Sequence, residues 1–454
     1  MESGRVASRV CHEMKWLLDQ YIIDYFIDSL WEKIPASWRI LDRLTDMEWS
    51  LVLDESSPLS LSLPLPLSII CIRRLLREYS LLNRSTEKSI EDLGMDPRKV
   101  AEYRCLTVYE KRKVKEKKRD EIERVVPILR TIRDVHPFTS FVDIGSGLGH
   151  LTRAISNSIQ DLSVRGVEGS TELVERAMEL DEKRSEKRVE RMRVWVDAQS
   201  KELLGDDEAV CVGGLHACGD LGPSILRLTV SQSTVSACLL FGCCYHKLNG
   251  GSDKLFRQDW TNGDEKEEKK MKEKEERGFP MSEAFKDERL SYAARELACH
   301  SKGDYVKQLR EQTRPSHLHH AVRALAEVMM VEEGGERHAG VRGVKVDEME
   351  KGEQWMEWME KALIEYPQMK ERIKEKLLSG LSSPRLDQIP SLISTAAPTL
   401  STLYNMRLLV APFVEDLILH DRVAFLRESG LTSSVVRLFD PVISPRCFAL
   451  IGLR

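Results

Sequence analysis

The chain has 454 residues, is 42% hydrophobic and 31% charged, and carries a formal net charge of −5. This is long enough for two or three domain-sized units, and the near-neutral balance excludes a global pull toward nucleic acid, so any RNA contact needs a local basic patch and no DNA partner is expected. Ten cysteines without a CxxC pair argue against both a zinc ribbon and a disulfide scaffold.

The start, "MESGRVASRVCHEMKWLL", lacks the basic, apolar and small-residue pattern of a secretory leader, and its acids Glu2, Glu13 and Asp19 do not suit a mitochondrial one. A cytoplasmic or nuclear location is the expectation. Apolar residues at helical spacing (Trp16, Leu17, Tyr21, Ile22, Phe26, Leu30, Trp31) predict helix from Cys11 to Leu53, interrupted by the turn "IPASW". "PLSLSLPLPLSIICI" (58–72) is broken by Pro64 and Pro66 and is too short to span a bilayer, so no membrane segment is read. Residues 1–100 thus form a predicted helical N-terminal module.

A long helix is predicted from Tyr109 to Ile132, with Lys111, Lys115, Lys117 and Arg119 among the seven cations of its first half. These read either as a solvated face or as a stripe that meets RNA phosphates. From Thr139 short apolar runs alternate with helical stretches: "FVDIG" (141–145), "VRGVEG" (164–169), "VWVDA" (194–198), "AVCVGGL" (209–215) and "SACLLFGCC" (236–244). Strands alternating with helices imply a parallel sheet covered on both faces, an α/β doubly wound core whose first part is placed at 101–248. Residues 249–430 form a predicted, mostly helical insertion holding a charged, low-complexity segment near 262–278. The last residues, 431–454, give two β-rich runs joined by a Pro-flanked turn, a hairpin that returns to the sheet.

Asp143, Gly145, Ser146, Gly147 and Gly149 form a D-x-G-x-G-x-G turn between a strand and a helix. Its spacing differs from the G-x-G-x-x-G of dinucleotide sites, and the neighbouring acid favours a cationic ligand without phosphates; S-adenosyl-L-methionine is such a ligand. Glu168, ending the second strand, suits the ribose hydroxyls, and Asp197 with Ala198, closing the third, suits the adenine.

Seven segments carry a resemblance: "LWEKIPASW", "FVDIGSGLGHL", "GLHACGDL", "FGCCYHKL", "GFPMS", "LSYAARELACH" and "LFDPVISPRCFALIG". With them the chain resembles the methyltransferase-like protein 25 family, also labelled ribosomal RNA adenine dimethylase domain-containing proteins. The resemblance implies a class I, seven-stranded, Rossmann-like methyltransferase using S-adenosyl-L-methionine. Two departures are Ala101, where His is expected, and the charged insertion at 264–277.

His216, Cys218 and Asp220 follow the fourth strand, and Cys243, Cys244, Tyr245 and His246 follow the fifth, so all are expected around the transferred methyl group. His216, Asp220, Tyr245 and His246 are the candidate catalytic residues, able to take the proton an acceptor releases. A similar pairing of "H-x-C-G" and "C-C-x-H" strand ends occurs in a eukaryotic tRNA ribose methyltransferase family, which makes RNA the leading acceptor, bound in part through Lys111 to Arg119. The absence of an Asn-Pro-Pro-Tyr element after the fourth strand speaks against exocyclic amines. Rival readings are a protein methyltransferase and a degenerate scaffold. The clustered His and Cys side chains could ligate zinc, but adjacent cysteines seldom share one tetrahedral ion, and no metal is expected.

Overall fold

The computed structural model describes residues 2–454 apart from 60–62, 105–113, 185–188, 198–199, 206, 252–277, 314–317, 339–343, 347–349 and 383. Ala198, the cations Lys111, Arg112 and Lys113, and nearly all of the charged segment therefore lie outside the described residues.

Seven strands make one sheet in the order β3-β2-β1-β4-β5-β7-β6. They are β1 (Ser140–Ile144), β2 (Ser163–Glu168), β3 (Glu190–Arg193), β4 (Val210–Cys218), β5 (Val235–Cys243), β6 (Thr432–Arg437) and β7 (Phe448–Leu453). The first five pair in parallel; β7 runs antiparallel between β5 and β6, so the hairpin does return to the sheet, across the helical insertion that the sequence predicts. β1 is buried along its whole length because helices cover both faces of the sheet. Helix α1 (Glu116–Val135) leads into β1, and the crossover helices are α2 (His150–Ser158), α3 (Thr171–Arg184) and α4 (Leu221–Ser231). Ile122, Val126 and Leu129 of α1, Ile155 of α2 and Leu226 of α4 join Phe141, Val212, Leu239 and Ile451 of the strands in a single core.

Two strand bounds differ from expectation. β3 forms over "ERMR", four residues before the predicted "VWVDA". Its charges are matched by neighbours: Glu190 bonds Arg165 at 2.7 Å and Arg191 bonds Asp181 of α3 at 2.9 Å, so a charged run can serve as the edge strand. β4 continues three residues past its predicted end through a bulge.

The described residues divide into two compact units: 1–13, 75–304 and 411–454 make the first, and 14–74 and 305–410 the second. The cuts fall inside both predicted helical regions rather than at their ends. Helix α5 (Ile389–Glu428) contributes its first part to the second unit and its last part to the first. Taken alone, the second unit has only helices as regular structure among its described residues, built on Ile22, Leu325, Met329, Trp355, Met359, Ile373 and Ile393, with Asp24 buried and ion-paired to Arg337 at 2.9 Å.

Candidate functional site

Ligands of open α/β sheets bind beyond the carboxyl ends of the strands, where the order reverses, which here is between β1 and β4. The glycine turn leaves β1 at this point. Gly145, Gly147 and Gly149 have φ of +74°, +54° and +73°, a region that glycine enters without steric cost. They differ in surroundings. A Cβ on Gly147 would meet nothing within 4 Å, and one on Gly145 would only touch Leu221, whereas one on Gly149 would run into the Arg191 guanidinium. Arg191 is fixed by Asp181, which also binds Arg153 of α2 at 2.8 Å, so β3, α3 and α2 together hold the turn. The open backbone of Gly145 and Gly147 is thus left for a ligand.

Glu168 closes β2 and folds back onto the turn, accepting the amide N–H of Gly147 at 3.0 Å and of Ser170 at 3.1 Å. These bonds fix its carboxylate, whose remaining lone pairs suit a ribose diol. Asp143 behaves differently from expectation. It is buried, accepts from Thr152 Oγ1 at 2.6 Å, and burial pushes its carboxyl above the usual range; it braces α2 against β1 and offers no free oxygen on the surface. Ser146 supplies its amide to Val167, so its contribution is to the turn's shape. Asp197 lies in an exposed turn beyond β3 and accepts from Ser200 Oγ at 2.9 Å.

Trp195 was not singled out in the sequence. Its side chain is 82% exposed, and a Cβ on Gly169 would lie 3.1 Å from its indole ring, so the ring stands over the backbone just after Glu168. An open aromatic face beside a ribose-type carboxylate suits a stacked adenine.

On the acceptor side, β4 and β5 lose register between Gly214 and Ala217, so that Leu215 and His216 together oppose Phe241. Bulges of this kind re-aim side chains. His216, 38% exposed, sets Nε2 3.4 Å from Oε2 of Glu121, a residue of α1 that is 1% exposed. Glu121 accepts a second bond at Oε1 from Ser444, in the turn between β6 and β7, at 3.0 Å, and Lys117 and Lys118 lie 3.9 Å away. Burial opposes ionisation of Glu121, but the His216 ring, Lys118 and the Ser444 hydroxyl outweigh it and hold the carboxyl below its usual range. Three chain regions far apart in sequence thus meet around one buried carboxylate.

The other catalytic candidates are placed in structural roles. Asp220 spends both oxygens on the amides of Asn249 and Gly250, at 2.9 Å each, anchoring the turn after β5. Tyr245 is buried, donates to Glu415 at 3.0 Å, and lies between the guanidinium groups of Arg422 and Arg446, 5.4 and 5.7 Å from its ring centre. His246 is half-buried, with Nδ1 3.6 Å from Cys299 Sγ, and burial pulls its pKa down. Convergence at the strand ends is as the sequence suggests, but the turn after β5 aims these side chains at the supporting helices.

The sulfurs of Cys218, Cys243 and Cys244 do converge, all within 4.8 Å of one another. Cys218 and Cys243 face each other across the paired ends of β4 and β5, Sγ to Sγ 2.9 Å, and the hydrogen bond between the two sulfurs pulls the Cys218 pKa down.

Strand order, glycine turn and the acid after β2 define a class I methyltransferase domain, whose methyl donor is S-adenosylmethionine. Gly145, Gly147, Glu168 and Trp195 fit that donor, which supplies an electrophilic methyl carbon when bound. Residues 117–251 match a family model described as a methyltransferase domain. The chain is 29% identical over 274 residues to probable methyltransferase-like protein 25 of Mus musculus and 28% over 272 residues to that of Homo sapiens, with 58% of this chain and 40% of each relative covered. Among solved structures, coclaurine N-methyltransferase bound to N-methylheliamine and SAH aligns over 88% of this chain and 94% of that one at 13% identity, with a TM-score of 0.25. The chain is thus similar to methyltransferase-like protein 25 over 58% of its own length, and it spans about two fifths of the length of the curated relatives it matches.

Proposed function

We propose that the chain is an S-adenosylmethionine-dependent methyltransferase whose acceptor is an RNA ribose hydroxyl. The observation that supports this reading is His216, aimed by the bulge in β4 and backed by the buried Glu121 at 3.4 Å. In the tautomer that carries its proton on Nε2, the nitrogen 3.4 Å from Glu121 Oε2, the Nδ1 lone pair can accept a proton. A hydroxyl acceptor must lose one as its oxygen bonds to the methyl carbon, and a positioned imidazole assists that loss. Ser444 and Lys118 keep Glu121 ionised, so it stabilises the imidazolium that forms. Lys115 and Lys117, exposed at the start of α1 on the same helix as Glu121, would meet phosphates.

The test incubates the purified chain with radiolabelled cofactor and separate RNA and protein fractions. Label that ribonuclease releases and protease does not is expected. Label that survives ribonuclease and is lost to protease replaces RNA by a protein acceptor. No calorimetric binding of S-adenosylhomocysteine would leave a scaffold with a methyltransferase fold.

A further inference from the structure

We infer that Cys218, Cys243 and Cys244 form a zinc site, three thiolates on one ion with a fourth position open to an exchangeable ligand. Adjacent residues of a strand point to opposite faces of the sheet, which is why two neighbouring cysteines seldom serve one ion. Here the strand ends between them. Cys244 adopts φ +49°, the left-handed region that a non-glycine residue seldom enters, and this turn brings its sulfur to the side of Cys243. The parallel pairing of Cys218 with Cys243 supplies the third sulfur from β4, and Gly219 at φ +55° lets the chain leave immediately after it.

The number of sulfurs suits an ion better than a disulfide. A tetrahedral ion with Zn–S bonds of about 2.3 Å sets its sulfurs roughly 3.8 Å apart; the three sulfurs here lie within 4.8 Å of one another, and Cys218 and Cys243, at 2.9 Å, would open by about 0.9 Å to share it. A disulfide would use two sulfurs and leave the third unexplained. Thiolates select zinc over magnesium or calcium. Cys243 is buried and Cys218 is exposed, so a fourth ligand would arrive on the Cys218 side, on the strand that carries His216. Binding needs all three sulfurs as thiolates, so whatever thiol protons they still hold pass to solvent as the cation enters, and no electrons move.

This inference does not depend on methyl transfer. The experiment uses the full chain purified under reducing conditions without chelator, with metal content read by mass spectrometry and cobalt(II) added after metal removal. About one zinc per chain is expected, together with a thiolate-to-cobalt charge-transfer band in the wild type. Cys218→Ser, Cys243→Ser and Cys244→Ser should each weaken zinc binding about a hundredfold or more, since even outer-shell changes cost ten- to a hundredfold, while the exposed Cys71→Ser should leave it unchanged. Less than about a tenth of an equivalent after reconstitution, with no cobalt band, would overturn the site, as would copper in place of zinc or a Cys218–Cys243 disulfide in peptide mapping. S-adenosylhomocysteine titrations on the same preparations separate the two readings: binding without metal sinks only the zinc site, and metal without binding sinks only the methyltransferase.

Discussion

Three glycines with matching backbone but different surroundings make the cofactor site separable from stability. Gly147 (φ +54°) and Gly430 (φ +86°) each leave open space where a Cβ would stand, and Gly149 (φ +73°) faces Arg191. Alanine at either open position should cost about 1 to 2 kcal/mol of stability, the penalty of a side chain in the left-handed region. At Gly430, which ends α5 as the amide of Leu431 returns to the Leu426 carbonyl at 3.0 Å, nothing more should follow. At Gly147 the added methyl would enter the space reserved for the donor. Overpacking by a methyl costs about 1 to 3 kcal/mol, so S-adenosylhomocysteine should bind roughly tenfold to a hundredfold more weakly. Gly149→Ala should be the least stable of the three, because it also displaces Arg191 from Asp181 and Thr152. Calorimetric titration and thermal denaturation read both effects. If Gly147→Ala binds like wild type while sharing the stability loss of Gly430→Ala, the glycine turn does not hold the donor.

Glu121→Gln keeps the shape of the buried side chain and removes its charge; methyl transfer should fall about tenfold to a hundredfold with S-adenosylhomocysteine binding unchanged, and a loss under twofold would remove the His216 pair from the reaction. Trp195→Ala should weaken S-adenosylhomocysteine binding by about 1 to 2 kcal/mol without lowering the melting temperature, since the ring is already open to solvent; unchanged titrations would exclude stacking. His420 should contribute acid sensitivity. Burial, with Arg84 and Arg427 nearby, lowers its pKa to about 4 from an ordinary value near 6.5, so the fold prefers the neutral ring. That contribution is complete above about pH 6.5 and is lost as the pH falls toward 4, about 2 kcal/mol of it by pH 5. His420→Leu should flatten the difference in stability between pH 7 and pH 5 by that amount in chemical denaturation; a parallel pH dependence would show that His420 contributes none of it.

The parallel strands were legible because burial on both faces writes itself as unbroken runs such as "FVDI" and "CLLFGC". The glycine turn and Glu168 were legible for a related reason: backbone approach and a strand-end acid leave a local signature. β3 was not, since its charges are neutralised by Arg165 and Asp181 from other elements while the β-branched residues behind it form no ladder. Glu121 sits in a run of charges where nothing local marks one acid as buried; Ser444, 323 positions away, helps to bury it. Asp220 and Tyr245 were placed at the right end of the sheet, but their direction depends on partners such as Asn249 and Glu415 that spacing does not reveal. The division into units escaped for the same reason, as helical periodicity shows that a face must be covered without showing by what.

The place of β7 has a consequence during synthesis. β5 leaves the ribosome about two hundred residues before the strand that pairs with it, an interval of about 10 to 40 s at ordinary elongation rates. For that time a long apolar strand has one row of amides and carbonyls without its final neighbour, which makes the nascent chain, more than the finished protein, the form open to mispairing and chaperone capture.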